Sequence, residues 1–223
     1  MSAKKILFIG NSYTFYSNLP DMIRQMAESA GMKLEVSAVT SGGKSLEWHY
    51  YNPETLQALQ REEWDYVALQ EFSTRPLEDP DKMYASAAAL FNKVRSKKAR
   101  AALYLTWSRK FLPETQQCIT GAYIELARRI NALIFPAGPA WQAVIAKNPD
   151  IELYDPDQSH PSVLGSYLTA CVFCSSILNL NLETVTNKIR LLPGAALVIE
   201  PEVAGILRQS AGQTSQEFKE HLR

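Results

Sequence analysis

Residues 4–15 of the chain have the sequence KKILFIGNSYTF. The apolar run that begins at Ile6 is typical of a strand buried on both faces of a parallel sheet. Gly10, Asn11 and Ser12 end this run and therefore mark the carboxyl end of the strand. A serine in this place either caps the following helix or acts as a nucleophile, and the stretch alone fits both roles.

The same pattern, a short apolar run followed by a helical pattern, recurs along the chain. The predicted strands are Lys5–Gly10, Leu34–Val39, Asp65–Gln70, Arg100–Trp107 and Ala132–Gly138. The predicted helices are Leu19–Ala30, Pro53–Glu62, Pro80–Ser96, Glu114–Asn131, residues 139–148 and Pro161–Asn179. Several of these helices have a proline near their first turn, where no backbone hydrogen bond is lost. The alternation predicts an α/β fold with a doubly wound, five-stranded parallel sheet and right-handed crossovers.

Ligands in such folds bind outside the carboxyl ends of the strands. The candidate functional segments are therefore the loops that follow the predicted strands, together with any residues that the final predicted helix places near them. These loops are residues 10–15, 40–48, 70–75 and 106–109.

The composition limits the class of protein. The chain has 223 residues, 46% of them hydrophobic, which suits a single α/β domain over residues 1–223. Lys+Arg and Asp+Glu both number 23, so there is no basic excess of the kind that nucleic-acid binding needs. No segment has the length of a membrane span and no signal peptide is visible, so we expect a cytoplasmic protein. Residues 210–223 are polar and are expected to form a peripheral tail, and the sequence does not indicate the oligomeric state.

The chain has three histidines, and His160 stands in the most suggestive context. Asp157 precedes it by three positions, so a carboxylate can meet imidazole Nδ1 and leave Nε2 free to take a proton from a hydroxyl. The alternative is an aspartate that caps a helix beside an incidental histidine. His221 lies in the polar tail, and His49 follows Trp48 in an aromatic, polar loop.

Residues 41–45, SGGKS, follow the second predicted strand. Their end matches a phosphate-binding loop, but that motif needs a glycine where Ala38 stands. A second possibility is that the backbone N–H of Gly42 or Gly43 binds an oxyanion. A simple turn is the third.

Gln70 and Glu71 follow the third predicted strand. The amide of Gln70 is a possible oxyanion donor, and Glu71 is a possible ion-pair partner of Arg75 or Arg109. Both residues also fit an ordinary polar loop.

Several aromatic residues fall in the same strand-end loops, and some of them are expected to line a pocket. They are Tyr13, Phe15, Trp48 and Trp107. Cys171 and Cys174 form a C-x-x-C pattern deep in an apolar helix, which favours buried small residues over a redox pair.

Taken together, these segments resemble the SGNH/GDSL hydrolases, and the resemblance extends over most of the chain. GNSYT resembles the family's first block, with Ser12 at the nucleophile position and Asn11 where aspartate is common. SGGKS resembles the second block, in which Gly43 is the best match to the oxyanion glycine. D-x-x-H, the last block, is matched fully by Asp157 and His160.

The third block departs from the family pattern. The family has G-x-N-D there, and its asparagine is an oxyanion donor, whereas this chain has Gln70-Glu71-Phe72-Ser73. Gln70 is the expected substitute for that donor. The chain therefore resembles a divergent, mostly uncharacterised bacterial branch of the family.

The resemblance implies a flavodoxin-like three-layer α/β/α sandwich and a serine esterase that uses no metal or organic cofactor. Ser12, His160 and Asp157 are the implied catalytic residues, and Ser12, Gly43 and Gln70 the implied oxyanion donors. The expected substrate is a small O-acyl ester, such as an O-acetylated carbohydrate, with no nucleic-acid or membrane partner. The expected pocket residues are Asn11, Tyr13, Trp48, Glu71 and Trp107.

Three alternatives stay open from the sequence. The first is a non-catalytic member of the same fold that binds a carbohydrate or acyl ligand. The second is an acyltransferase that uses the same acyl-Ser12 intermediate, and the third is a nucleotide-binding module built on Gly43-Lys44-Ser45.

Overall fold

The fold is described by a computed structural model that covers residues 2–96, 98–192 and 195–221. Five parallel strands form the central sheet, as the sequence predicts, and the structure gives their order as β2-β1-β3-β4-β5. The strands are β1 (Lys4–Gly10), β2 (Leu34–Thr40), β3 (Tyr66–Leu69), β4 (Arg100–Leu105) and β5 (Leu133–Pro136).

Helices cover both faces of the sheet and give the predicted three-layer α/β/α sandwich. They are α1 (Ser12–Phe15), α2 (Leu19–Ser29), α3 (Leu46–Tyr51), α4 (Pro53–Arg61), α5 (Arg75–Glu78), α6 (Pro80–Phe91), α7 (Gln116–Ile130), α8 (Ala137–Lys147), α9 (Val163–Ser176) and α10 (Pro201–His221). Asn52 and Asp79 cap α4 and α6, and a proline follows each cap as the first helical residue.

The side chains of β1 explain why its sequence is apolar throughout. Ile6 and Phe8 point into the core that α2, α8, α9 and α10 cover, whereas Leu7 and Ile9 point into the core beneath α4, α6 and α7. All four are at most 1% exposed. A strand covered on both faces has no position for a polar side chain until it ends.

Two predicted strands run too far along the sequence. The run Ala132–Gly138 ends as a strand at Pro136 because α8 begins at Ala137, and the run Arg100–Trp107 ends at Leu105. The residues beyond both strands are still buried, which is why their apolar character extends the pattern.

The order in which successive strands are added to the sheet reverses at β1. The chain moves from β1 to β2 at one edge and then returns past β1 to β3, so β1 has a parallel neighbour on each side. Such a switch point leaves a crevice at the carboxyl ends of the two strands. Ser12 follows β1 directly at this place.

The last part of the chain departs from the sequence prediction. A short antiparallel hairpin, β6 (Lys188–Leu192) and β7 (Ala195–Val198), precedes α10. The expectation of a peripheral tail from residue 210 is wrong, because α10 packs on α8 and α9 and buries Ser210, Ala211 and Ser215. Residues 222–223 lie outside the described residues, and a single domain over residues 1–223 stays a prediction.

Each helix of the described ranges is too short or too polar to cross a lipid bilayer.

Leu207 tests whether α10 belongs to the core. Its side chain is fully buried, so Leu207→Ala is expected to lower the free energy of unfolding by about 2–5 kcal/mol. Gln209→Ala, on the exposed side of the same helix, is expected to change it by less than about 0.5 kcal/mol. Urea denaturation measures both, and equal effects of the two substitutions would mean that α10 is peripheral after all.

Candidate active site

Ser12 is the first residue of the four-residue helix α1, directly after β1. The preceding Asn11 caps this helix, because its Oδ1 accepts the N–H of Tyr13 over 3.1 Å. Asn11, rather than Ser12, is therefore the capping residue. The hydroxyl of Ser12 is left free for another partner.

That partner is His160. Its Nε2 lies 2.8 Å from Ser12 Oγ, and its Nδ1 donates a hydrogen bond to Asp157 Oδ2. Because the carboxylate fixes the proton on Nδ1, Nε2 is the acceptor for the Ser12 hydroxyl. The structure therefore brings together the three residues that the sequence predicts as catalytic.

Asp157 is held in place by the backbone of its own loop. Its Oδ1 accepts the N–H groups of Ser159 and His160 over 3.0 and 2.9 Å. Burial alone would raise the pKa of Asp157, but the hydrogen bonds from the His160 ring and from these two N–H groups hold that pKa below its usual range. The carboxylate that orients the imidazole is thus kept ionised.

Aromatic rings fix the position of the His160 ring. Tyr16 stacks on it with ring centroids 4.3 Å apart, and Tyr13 meets it edge-on at 5.4 Å. These contacts limit rotation of the imidazole about its side-chain bonds. The 2.8 Å contact with Ser12 is therefore held by packing as well as by hydrogen bonds.

Gln70 occupies a different role from the one predicted. Its side chain is 1% exposed, and its Oε1 accepts the backbone N–H of Asn11 over 2.7 Å and the hydroxyl of Thr14 over 3.0 Å. Its Nε2 donates to the carbonyl of Glu71. The amide oxygen, not the amide nitrogen, thus faces the nucleophile loop, which corrects the prediction of Gln70 as an oxyanion donor.

Gly10 makes this approach possible. A Cβ atom at Gly10 would lie 2.5 Å from Thr14 Oγ1 and 2.6 Å from Gln70 Oε1, too close for any side chain. The glycine before the nucleophile is therefore required by the close contact between the ends of β1 and β3.

The SGGKS segment forms a tight turn beside the nucleophile loop. Lys44 N–H bonds to Ser41 O over 3.2 Å, and Gly43 has a φ of +68°, which favours glycine. Asn11 Nδ2 donates to Lys44 O over 3.2 Å, so the turn is tied to the residue before Ser12. Ser45 caps α3 through the N–H of Trp48, a structural role in place of the phosphate contact of a nucleotide-binding loop.

Four of the five expected pocket residues have almost no contact with solvent. Asn11, Tyr13, Glu71 and Trp107 are at most 3% exposed, whereas Trp48 is 37% exposed. The four buried residues form the support beneath the site, because their polar atoms bond to neighbouring loops. Trp48 alone among them is open to a ligand.

Tyr13 and Trp107 connect this support to the His160 loop. The Tyr13 hydroxyl and Ser159 Oγ lie 2.6 Å apart, and Trp107 Nε1 donates to Ser159 O over 3.0 Å. The two rings stack on each other with centroids 4.9 Å apart. The loop that carries His160 therefore rests on aromatic residues from two other loops.

Glu71 is a buried carboxyl that forms no salt bridge with Arg75 or Arg109, the two partners that its sequence context suggests. Its Oε1 accepts the N–H groups of Leu46 and Phe72 over 3.1 and 2.6 Å. Burial raises its pKa despite these hydrogen bonds. Arg75 pairs instead with Glu47 and Asp79.

His49 supports the site from within the core, although its sequence context indicates only an aromatic, polar loop. It lies in α3 and is fully buried, with Nε2 2.9 Å from Gly10 O and Nδ1 2.9 Å from Thr55 Oγ1. Since a carbonyl only accepts, Nε2 carries the proton, and the Thr55 hydroxyl donates to Nδ1. Burial lowers the pKa of His49, so the neutral ring supports the end of β1. Its partners are a backbone carbonyl and a hydroxyl, which leave no signal in the sequence.

Within the described part of the chain, His, Cys, Asp and Glu side chains form no group of three or more that could hold a metal ion. Cys171 and Cys174 are fully buried in α9, as predicted, and burial raises the pKa of the Cys171 thiol to about 12.

The fold and this site define a hydrolase of α/β architecture. A solved structure of an inferred SGNH hydrolase from Slackia heliotrinireducens is 30% identical, with a TM-score of 0.65 over 78% of this chain and 98% of that one. The chain belongs to the SGNH hydrolase family, which confirms the resemblance seen in its sequence blocks.

Two further solved structures share the fold. A DUF4886 family protein from Bacteroides uniformis ATCC 8492 is 20% identical, with a TM-score of 0.77 over 96% of this chain and 95% of that one. An acetyl xylan esterase variant from Geobacillus stearothermophilus is 18% identical, with a TM-score of 0.55 over 78% and 94% of the two chains. No family model matches the sequence, and no curated protein sequence matches it.

Gly10→Ala tests the close contact between β1 and β3. The added methyl group would push Gln70 and Thr14 away, so the free energy of unfolding is expected to fall by about 1–3 kcal/mol. Gly121→Ala is the matched control, because nothing lies within 4 Å of its added Cβ in α7. That variant should be about 0.5–1 kcal/mol more stable than wild type. Urea denaturation measures both variants. If both substitutions stabilise the protein, or both destabilise it, the close contact of Gly10 with Gln70 and Thr14 is contradicted.

The buried, neutral His49 is expected to make the protein less stable as pH falls. Its folded pKa lies below the unfolded value near 6.5, so the unfolded state binds the proton first as pH falls. Stability is therefore full above about pH 6.5 and declines below it, by at most about 1.4 kcal/mol per pH unit. His49→Asn should show a shallower slope between about pH 7 and 5 in denaturation experiments. A slope that is unchanged in this variant would show that His49 does not titrate as a buried neutral ring.

Proposed function

We propose that the protein is a serine esterase that hydrolyses small O-acyl esters through an acyl intermediate on Ser12. The observation that carries the proposal is the 2.8 Å contact between Ser12 Oγ and His160 Nε2, with Asp157 bonded to the other ring nitrogen. Acyl transfer to serine requires a hydroxyl, a base that contacts it and a group that orients the base, and these three groups are bonded here in that order. Membership of a hydrolase family supports the same conclusion.

In the first step, Ser12 Oγ attacks the ester carbonyl while His160 Nε2 takes its proton. The imidazolium that forms is stabilised by the ionised Asp157 and then gives the proton to the oxygen of the leaving alcohol. In the second step, His160 Nε2 takes a proton from water as the water oxygen bonds to the acyl carbon. The imidazolium then returns that proton to Ser12 Oγ as the bond between Oγ and the acyl carbon breaks and the acid leaves.

The negative oxygen of each tetrahedral intermediate needs donors that are in place beforehand. The backbone N–H groups of Ser12 and Gly43 are the donors that we propose, since the turn containing Gly43 is tied to the nucleophile loop through Asn11. Gln70 contributes by holding the N–H of Asn11, which fixes the backbone next to Ser12. One donor is typically worth about 10²- to 10³-fold in rate.

An O-acetylated carbohydrate is the substrate that we favour. The support is the fold likeness to an acetyl xylan esterase at 18% identity, which is an analogy of fold. Trp48 adds a local reason, because its ring is 37% exposed and offers an apolar surface to a sugar face. The ring centroid lies 5.6 Å from Nζ of Lys44, whose carbonyl is bonded to Asn11.

The test of the triad is hydrolysis of p-nitrophenyl acetate. Ser12→Ala and His160→Ala should each lower kcat/KM by about 10³-fold or more, and the double variant should lose little beyond either single one, because the residues act as a unit. Ser175→Ala, near the far end of α9, is the matched control and should keep wild-type kinetics. Wild-type rates in Ser12→Ala would contradict the proposal.

Covalent labelling separates an esterase from a non-catalytic member of the fold. A fluorophosphonate probe should label wild-type protein on Ser12, because only a nucleophile with its base in place reacts readily. His160→Ala should label much more slowly. Absence of labelling in folded wild-type protein would favour a ligand-binding role for the same cleft.

A further inference from the structure

Arg109 lies in the loop after β4, at the same edge of the sheet as Ser12. Two hydrogen bonds fasten this loop to the loop that carries His160: Lys110 N–H donates to Gln158 O over 3.0 Å, and Trp107 Nε1 donates to Ser159 O over 3.0 Å. Arg109 stands between the two fastened residues. The backbone of Arg109 is therefore held beside the His160 loop by hydrogen bonds on either side of it.

No residue in the described ranges provides a counter-charge to the guanidinium of Arg109. Among residues 2–96, 98–192 and 195–221, it forms no hydrogen bond and no ion pair, and its Nε is out of reach of solvent without an acceptor. Arg75, at the same edge of the sheet, pairs with Glu47 and Asp79. A partly buried cation without a partner is costly, and a bound anion removes that cost.

The charge of Arg109 acts on Tyr13, which belongs to the nucleophile loop. Tyr13 follows Ser12 in the chain and lies 2.6 Å, hydroxyl to hydroxyl, from Ser159, which precedes His160. Burial raises the pKa of the Tyr13 hydroxyl, and the charge of Arg109 acts on it in the opposite direction. Asp157 also acts on Tyr13, but its two oxygens are bonded to His160 and to backbone N–H groups and not to Arg109.

We propose that Arg109 binds a carboxylate carried by the ester substrate, so that the enzyme prefers acidic esters over neutral ones. This inference rests on the proposed esterase function and names a substrate class for it. The planar guanidinium fork matches the two oxygens of a carboxylate, which an ammonium group does not. The substrate's carboxylate supplies the counter-charge for Arg109 that the described residues do not provide.

The experiment uses two pairs of esters that differ only in charge. Mono-p-nitrophenyl glutarate and its neutral amide carry the group on the acyl side, and meta-acetoxybenzoate and meta-acetoxybenzamide carry it on the alcohol side. The measured quantity is the ratio of kcat/KM for the acidic ester to that for its amide. Each pair tests one side of the ester, and the wild-type ratio should exceed one in at least one pair and fall as salt is added.

Arg109→Gln should lower that ratio about tenfold or more, since it removes a charge-assisted hydrogen-bonding partner. Arg109→Lys should retain part of the preference, because it keeps the charge and loses the fork. Arg128→Gln is the matched control: Arg128 is exposed in the last turn of α7, at the opposite edge of the sheet, and its loss changes net charge equally. Its ratio should equal that of wild type.

Three outcomes overturn the inference: a wild-type ratio of one or less in both pairs, a ratio that Arg109→Gln leaves unchanged, or one that Arg128→Gln lowers equally. If Arg109→Gln fails to fold, as judged by circular dichroism, wild-type protein still decides. Benzoate should then inhibit hydrolysis of p-nitrophenyl acetate more strongly than benzamide, and equal inhibition overturns the inference. Failure of the esterase function itself is distinct, because all four esters would then be cleaved no faster than by Ser12→Ala.

Discussion

A buried hydrogen bond links the segments that follow β1 and β3, and the site is built around it. The backbone N–H of Asn11 donates to Gln70 Oε1 over 2.7 Å, across the crevice between β1 and β3. Thr14 donates to the same oxygen, and Gly10 leaves room for the amide. Since the amide is buried, loss of its oxygen would leave the Asn11 N–H unsatisfied at a cost of about 1–3 kcal/mol.

The other parts of the site follow from this fixed point. The side chain of Asn11 caps the helix that begins with Ser12 and holds the SGGKS turn through Lys44 O, while His49 bonds to Gly10 O from below. The N–H of Asn11 and the carbonyl of Gly10 are thus held by side chains from outside β1, those of Gln70 and His49. Such preorganisation places donors and nucleophile before a substrate arrives, which is the condition under which they accelerate a reaction most.

Local rules explain what the sequence could predict. The strands are runs of apolar residues because helices cover both sheet faces, and Asp157 can reach His160 because only three positions separate them. Gln70 and His49 obey no such rule, since their partners are backbone groups of distant segments. The prediction of a peripheral tail failed because it relied on the polar character of residues such as Ser210 and Ser215. Both are buried where α10 packs closely on its neighbours.

The most direct test of the Ser12 nucleophile is a crystal structure of the protein inactivated by a fluorophosphonate, because the phosphonylated serine mimics the tetrahedral intermediate. We expect a phosphorus–oxygen bond to Ser12 Oγ, with the phosphoryl oxygen about 2.7–3.1 Å from the backbone nitrogens of Ser12 and Gly43. His160 Nε2 should face the position of the leaving group. Phosphorus on another side chain, or a phosphoryl oxygen that faces solvent away from both nitrogens, would contradict this expectation.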